Sequence, residues 1–184
     1  MKRLFDIIMS AFALAMLSPL LLLTALAIAM ESGSPVLFCQ IRLGFAGREF
    51  GMYKFRSMVK NAASIGPYFT QSQDPRITRV GRFIRRTSID ELPQLINVLK
   101  GDMSLVGPRP DVPVQRALYR DADWAQRCSV RPGITGLAQV MIRSDGTGDE
   151  RLALDLQYTR DPSFYLDIKI LWGTLGRLSG KGSN

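Results

Sequence analysis

The sequence contains no histidine. That absence removes the commonest general base, the serine–histidine nucleophile pair and every histidine-ligated metal site. Cysteine is nearly absent too. Cys39 and Cys128 stand far apart with no Cys-x-x-Cys spacing, which excludes a zinc ribbon and a dithiol redox motif. A lone disulfide and two free thiols both remain open, the second being the rule in a reducing compartment. There is no internal repeat and no low-complexity tract. The chemistry must therefore come from Asp, Glu, Lys, Arg, Ser, Thr, Tyr or a hard metal ion.

At 184 residues the chain has room for one domain with a substantial core. Its formal net charge is +8, which points to an anionic partner: nucleic acid, a phospholipid surface or a phosphorylated substrate.

The apolar residues are unevenly spread. After Lys2 and Arg3, a nearly unbroken apolar run extends from Ile7 to Met30. As a helix it would reach roughly 36 Å, enough to cross the hydrocarbon core. It is too long for the core of a signal peptide, although Ala25-Leu26-Ala27 and Ala27-Ile28-Ala29 resemble cleavage sites. Ser18-Pro19 lies near its middle, where proline removes a helical hydrogen bond. Basic residues flank both ends (Lys2 and Arg3; Arg42, Arg48, Lys54 and Arg56), so the positive-inside rule selects no orientation. A spanning helix and a re-entrant helix-break-helix that returns to its own face both satisfy the pattern. The re-entrant form also places Asp6 at the interface beside Lys2 and Arg3.

Gly33-Ser34-Pro35 ends the run as a turn. Val36–Phe38 and Phe50–Phe55 read as short strands, and 61–75 as a surface loop. Arg76, Arg79, Arg82, Arg85 and Arg86 recur at helical spacing with no acid among them. Most of that stripe suits solvent or a lipid surface, and at least one member could clamp a phosphate. A helix from about Ser88 to Leu99 is expected, with Leu92, Leu95, Ile96 and Leu99 on one face and Gly101 as its stop. Gly101–Pro110 and Arg131–Gly136 read as rigid loops, and Leu152–Tyr158 as helical. Phe164–Leu178 reads as an amphipathic helix whose aromatic face (Phe164, Tyr165, Ile168, Leu171, Trp172, Leu175) suits either a membrane interface or core packing. The tail from 179 to 184 is expected to be disordered.

Asp90 and Glu91 are the focal pair. Ser88-x-x-Glu91 matches a capping box, and acids are favoured in a first helical turn. Pro93 would then fall deep in the helix; a cap at Asp90 puts it in the first turn and frees Glu91. Adjacent residues point about 100° apart on a helix, so the two acids cannot flank one bond as a glycosidase pair does. One can attack while the other manages charge, metal or a proton. A carboxylate attacking phosphorus needs cationic clamps and a hard cation, and abundant arginine meets the first need.

Lys2-Arg3-x-Phe5-Asp6, Ser18-Pro19, Tyr53–Met58, the block from Ser88 to Pro110 and the stretch from Arg131 to Val140 resemble the bacterial sugar transferases called monotopic phosphoglycosyl transferases. The likeness runs from Lys2 to about Trp172, and the Ser88–Pro110 block is its most specific part. It implies an α+β, mainly helical fold: a re-entrant membrane segment (1–32) broken at Ser18-Pro19, and a small cytosolic catalytic domain (33–178) with interfacial amphipathic helices. It implies transfer of a sugar 1-phosphate from a nucleotide diphospho-sugar, usually a UDP-sugar, to polyprenyl (undecaprenyl) phosphate with release of UMP. The route is ping-pong, with Asp90 as nucleophile and Mg²⁺ ligand and Glu91 as its partner. Lys54, Arg85, Arg109, Arg143 and Asp167 fall at matching substrate-contacting positions, Arg143 where the motif loosens. The setting implied is the cytoplasmic face of a bacterial inner membrane, at a first membrane step of glycoconjugate (exopolysaccharide or lipopolysaccharide) synthesis. Phospholipid is a partner, nucleic acid is not, and a homodimer is compatible. Leu137 departs from the pattern where a tryptophan is common, which bears on sugar or acceptor preference. Starting directly at Lys2-Arg3, the chain is expected to be the minimal catalytic unit. The rival reading is a membrane-anchored polyanion- or lipid-binding protein built on the Arg76–Arg86 stripe.

Overall fold

A computed structural model describes residues 1–66, 74–142 and 146–179. Residues 180–184 of the expected disordered tail, Arg143, and part of the expected 61–75 loop lie outside the described residues. The architecture is mainly helical with two small sheets, as the α+β expectation requires.

Helix α1 spans Lys2–Ser32 and remains helical through Ser18-Pro19, where an interruption was expected. The reason is local. Proline has no N–H to give to the Ala15 carbonyl, and the Ser18 hydroxyl donates to that same oxygen at 2.8 Å. The apolar side chains of α1 face outward; Leu22 is 71% exposed and Met16 64%. Such a face cannot rest in water and calls for lipid.

Both ends of α1 are fastened to the same body. At its start, Arg3 donates to the Val98 and Leu99 carbonyls at 2.6 and 3.1 Å. Asp6 is buried, accepting from the Ser104 hydroxyl at 2.8 Å and the Leu105 amide at 3.3 Å, rather than sitting at an interface. At its end, Ile28 packs against Phe55 and Ile84. Arg56 donates to carbonyls of Ser32, Gly33 and Pro35. Between these anchors, residues 11–23 include no buried side chain.

Strands β1 (Leu37–Leu43) and β2 (Glu49–Phe55) form an antiparallel hairpin, in register from Leu37↔Phe55 to Leu43↔Glu49. The short helix α2 (Ala62–Ile65) follows, then α3 (Arg79–Arg86), capped by the Thr78 side chain. Arg76 does not belong to the α3 stripe. It is buried against Asp74, which it meets at 2.7 Å.

Helix α4 runs from Gln94 to Lys100 and stops at Gly101, whose φ of 94° is the left-handed conformation glycine adopts freely. Its buried face is Gln94, Leu95, Asn97 and Val98; Ile96 and Leu99, expected inside, are exposed. The apolar spacing misled because Asn97 occupies the core as a connector. Its amide donates to the Gly51 carbonyl at 2.7 Å and to Asp102 at 3.1 Å, and its oxygen accepts from the Tyr53 amide at 2.9 Å. That pins α4 to β2.

Strands β3 (Ser104–Val106) and β4 (Gly133–Thr135) pair in parallel. Here the two rigid loops meet backbone to backbone. A Cβ on Gly133 would stand 2.1 Å from the Gly107 nitrogen, so only glycine fits. Helices α5 (Asp121–Arg127), α6 (Leu137–Met141), α7 (Gly148–Arg160) and α8 (Phe164–Ser179) complete the body. Tyr158 and Ile170 pack on Val106. The aromatic face of α8 is not core: Tyr165 is 80% and Trp172 78% exposed, whereas Asp167 and Ile170 point inward. Both cysteines are free, Cys39 exposed and Cys128 buried.

Replacing Asn97 by leucine strands a buried amide, a buried carbonyl and one carboxylate contact. The expected loss is about 2–4 kcal/mol of stability, checked by denaturant unfolding of the membrane-reconstituted protein. A loss below 1 kcal/mol would contradict the connector role.

Candidate active site

The segment between α3 and α4 is short and irregular, and that irregularity presents the acidic pair. Ser88 adopts φ 57°, in the left-handed region, and Ile89–Glu91 form a single 3₁₀ turn. Neither expected cap exists: Ser88 makes no side-chain cap, and α4 begins after Pro93. Ile89 packs inward against the cluster of Ile28, Phe55 and Ile84. Asp90 is buried at 8% exposure.

Glu91 is held from two sides. The Lys54 ammonium on β2 meets its Oε1 at 2.7 Å, and the Arg109 guanidinium meets the same oxygen at 2.6 Å. Arg109 reaches Oε2 as well, at 3.5 Å. Burial by itself would push the Glu91 carboxyl up, but the Arg109 and Lys54 charges outweigh it and hold it far below the usual carboxylate range. Glu91 is therefore a fixed anion.

Asp90 differs. Among the described residues it forms no ion pair. Burial, and then the neighbouring Glu91 charge, push its carboxyl above the ordinary aspartate value, with the Lys54, Arg85 and Arg109 charges opposing. Burial also lowers the Lys54 ammonium, despite Glu91. Two adjacent acids thus have environments that drive them apart, the usual mark of divided roles.

Arg109 owes its position to a residue the sequence did not single out. Arg127, buried on α5, donates to the Arg109 carbonyl at 2.6 Å and pairs with Asp111 at 2.5 Å and Asp155 at 2.9 Å. No local pattern in the sequence points to it. Asn97 did leave a signal: a polar residue in the apolar run from Leu95 to Leu99. Arg42 adds a bond to the Pro110 carbonyl at 3.0 Å. Beyond Arg109 opens a cavity of about 560 Å³, bordered also by Tyr119, Gln139 and Arg151 and floored by the Arg127 network.

The structure thus gathers Asp90, Glu91, Lys54, Arg85 and Arg109. Asp167 is placed elsewhere. Its carboxylate is buried, meeting Lys2 at 2.6 Å and the Tyr158 hydroxyl at 2.7 Å. It ties α8 to the start of α1 and makes no contact with Asp90 or Glu91. Ser18 and Pro19 lie in the exposed midsection of α1.

No group of three His, Cys, Asp or Glu side chains converges among the described residues. Mg²⁺ needs no such cage, since one or two carboxylates with substrate phosphates and water suffice. Asp90 is the fitting carboxylate, because both Glu91 oxygens already accept hydrogen bonds.

The model of the bacterial sugar transferase family matches residues 1–181. An undecaprenyl-phosphate glucose phosphotransferase of Komagataeibacter xylinus is 50% identical over 188 residues, covering 96% of this chain and 35% of that protein. A UDP-glucose:undecaprenyl-phosphate glucose-1-phosphate transferase of Caulobacter vibrioides is 46% identical over 96% of this chain and 69% of its own length. An exopolysaccharide production protein of Rhizobium leguminosarum is 45% identical over 95% of this chain and 93% of its own. The chain thus spans about a third of the first of these relatives and nearly all of the last. With the match running from its first residue through the acidic pair to α8, the chain belongs to the bacterial sugar transferase family.

Proposed function

We propose that this protein transfers a sugar 1-phosphate from a UDP-sugar to polyprenyl phosphate in two chemical steps centred on Asp90. The single observation that carries this reading is the contrast inside the acidic pair: Glu91 is locked by Lys54 and Arg109, while Asp90 beside it is buried without an ion pair among the described residues. A carboxylate so placed has shed solvent and stays basic, which suits attack on phosphorus. The relatives' printed names, which include UDP-glucose and undecaprenyl phosphate, support the substrate classes.

In the first step an Asp90 oxygen bonds to the sugar-bearing phosphorus. The bond from that phosphorus to the bridging oxygen breaks, and UMP leaves with the electron pair. In the second, a phosphate oxygen of the lipid attacks the same phosphorus and Asp90 departs as carboxylate. The sugar C1–O bond is untouched throughout, so anomeric configuration is kept. Arg109 and Arg85 offset charge on the phosphate oxygens, and the cavity beyond Arg109 takes the nucleotide; its volume is ordinary for a small-molecule site. Lys54 and Glu91 fix the height of Arg109 and keep the acid beside Asp90 ionised. Mg²⁺, held by Asp90 and the donor's phosphates, would supply further neutralisation of the phosphate oxygens.

The lipid phosphate waits at the membrane surface, so the acidic pair must sit there too. The exposed apolar midsection of α1, with both ends fastened to one body, supports a re-entrant segment on the cytoplasmic face of the inner membrane. The exposed aromatic face of α8 suits the interface.

Two outcomes are expected. Asp90→Asn should lower UMP release from UDP-sugars by roughly 10³-fold or more, measured on purified protein with Mg²⁺; retained turnover would sink the assignment. Glu91→Gln removes the charge that raises Asp90 and frees Lys54 and Arg109 to act on it. Asp90 must be ionised to attack, so the acid limb of residual UMP release should move to lower pH than in the unaltered protein. A limb that moves upward would contradict the electrostatic account.

A further inference from the structure

A second cavity, about 430 Å³, lies between α1 and α3. Leu20, Leu23 and Ala27 form one wall; Val80 and Phe83 form the other, with Arg79 at its edge. We infer that this groove seats the phosphate-proximal isoprene units of the lipid acceptor, an inference that rests on the transfer reaction proposed above.

Three features carry it. The groove is apolar yet open: Leu23 is 65% and Phe83 56% exposed, although both belong to a region that the fastening of α1 places beside lipid. It also adjoins the reacting groups. Ile84, on its lining, packs on the other side against Phe55 and Ile89, the residues directly after Lys54 and directly before Asp90. Charge increases along the same helix. α3 presents Arg79, Arg82, Arg85 and Arg86 with no acid between them, and Arg85 acts on Asp90. A chain lying in the groove would therefore lead its phosphate past basic residues toward the nucleophile, an arrangement that complements an anionic lipid end and an apolar tail.

The groove is pre-formed. Glu31, at the end of α1, accepts from the Arg79 and Val80 amides at 2.7 and 3.0 Å, satisfying the first turn of α3 and holding the walls together. Leu20 to Ala27 covers about 10 Å of helix, so only the first few units are gripped while the rest of the lipid stays in the bilayer.

The test separates the two chemical steps. Leu23→Trp fills the groove and Phe83→Ser removes a wall; both positions are exposed, so folding should be unaffected. Each variant, full length and reconstituted, is given UDP-sugar and Mg²⁺ without acceptor and the UMP burst is measured, then titrated with a long polyprenyl phosphate. The burst should equal that of the unaltered protein, while the KM for the lipid rises about tenfold, the scale of one or two lost methylene contacts. A normal burst with unchanged lipid KM would overturn the groove. An equal rise for a straight-chain alkyl phosphate of matched length would overturn the isoprenoid assignment, showing a cleft for any acyl chain. No burst from the unaltered protein would instead overturn the underlying reaction.

Discussion

The grip of Lys54 and Arg109 on Glu91 is the interaction on which the site depends. It joins three segments that the chain brings from far apart: strand β2, the 3₁₀ turn at Ile89–Glu91, and the loop that ends β3. Each partner is itself fastened. Asn97 sets β2 against α4, and Arg127 sets the Arg109 backbone from within α5. Breaking one member leaves a partly buried charge without its counter-ion. The site is rigid because its charges are shared among elements.

A second constraint is vertical. A soluble fold would bury the apolar face of α1; here its polar ends are engaged and its apolar middle is left outward. Lys2 and Arg3 serve as fasteners: Lys2 to Asp167 and the Val106 carbonyl, Arg3 to the end of α4. The residues that read as membrane-flanking charge therefore fix the start of α1 to the rest of the protein. Proline inside α1 is compatible with this because the Ser18 hydroxyl occupies the carbonyl that Pro19 cannot serve.

Much of this was legible in the sequence. The long apolar run, the hairpin strands, the glycine stop at Gly101 and the aromatic helix all follow from periodicity and turn chemistry. The family resemblance, not periodicity, singled out Lys54, Arg85 and Arg109 beside Asp90 and Glu91, and the structure brings these five together. What failed did so where long-range polar contacts overrode local preference. Ser88-x-x-Glu91 had the spacing of a capping box, but Glu91 finds stronger partners in two cations than in a backbone amide. Ile96 and Leu99 had the spacing of a core face, but Asn97 and Gln94 hold the interior side of α4. The partners of Asp167, Lys2 and Tyr158, are sequence-distant groups that no local pattern reveals. Arg127 gave no signal, since a buried arginine is distinguished from a solvated one only by the acids that the fold brings to it.

The central claim is that Asp90 carries the sugar phosphate between donor and lipid. The most direct measurement is mass spectrometry of the protein after UDP-sugar and Mg²⁺ are supplied without acceptor. The account predicts a mass gain of one sugar phosphate, mapped to the peptide that contains Asp90 and discharged when polyprenyl phosphate is added. An adduct on another residue, or UMP formed only when both substrates are present with no adduct at any stage, would contradict it.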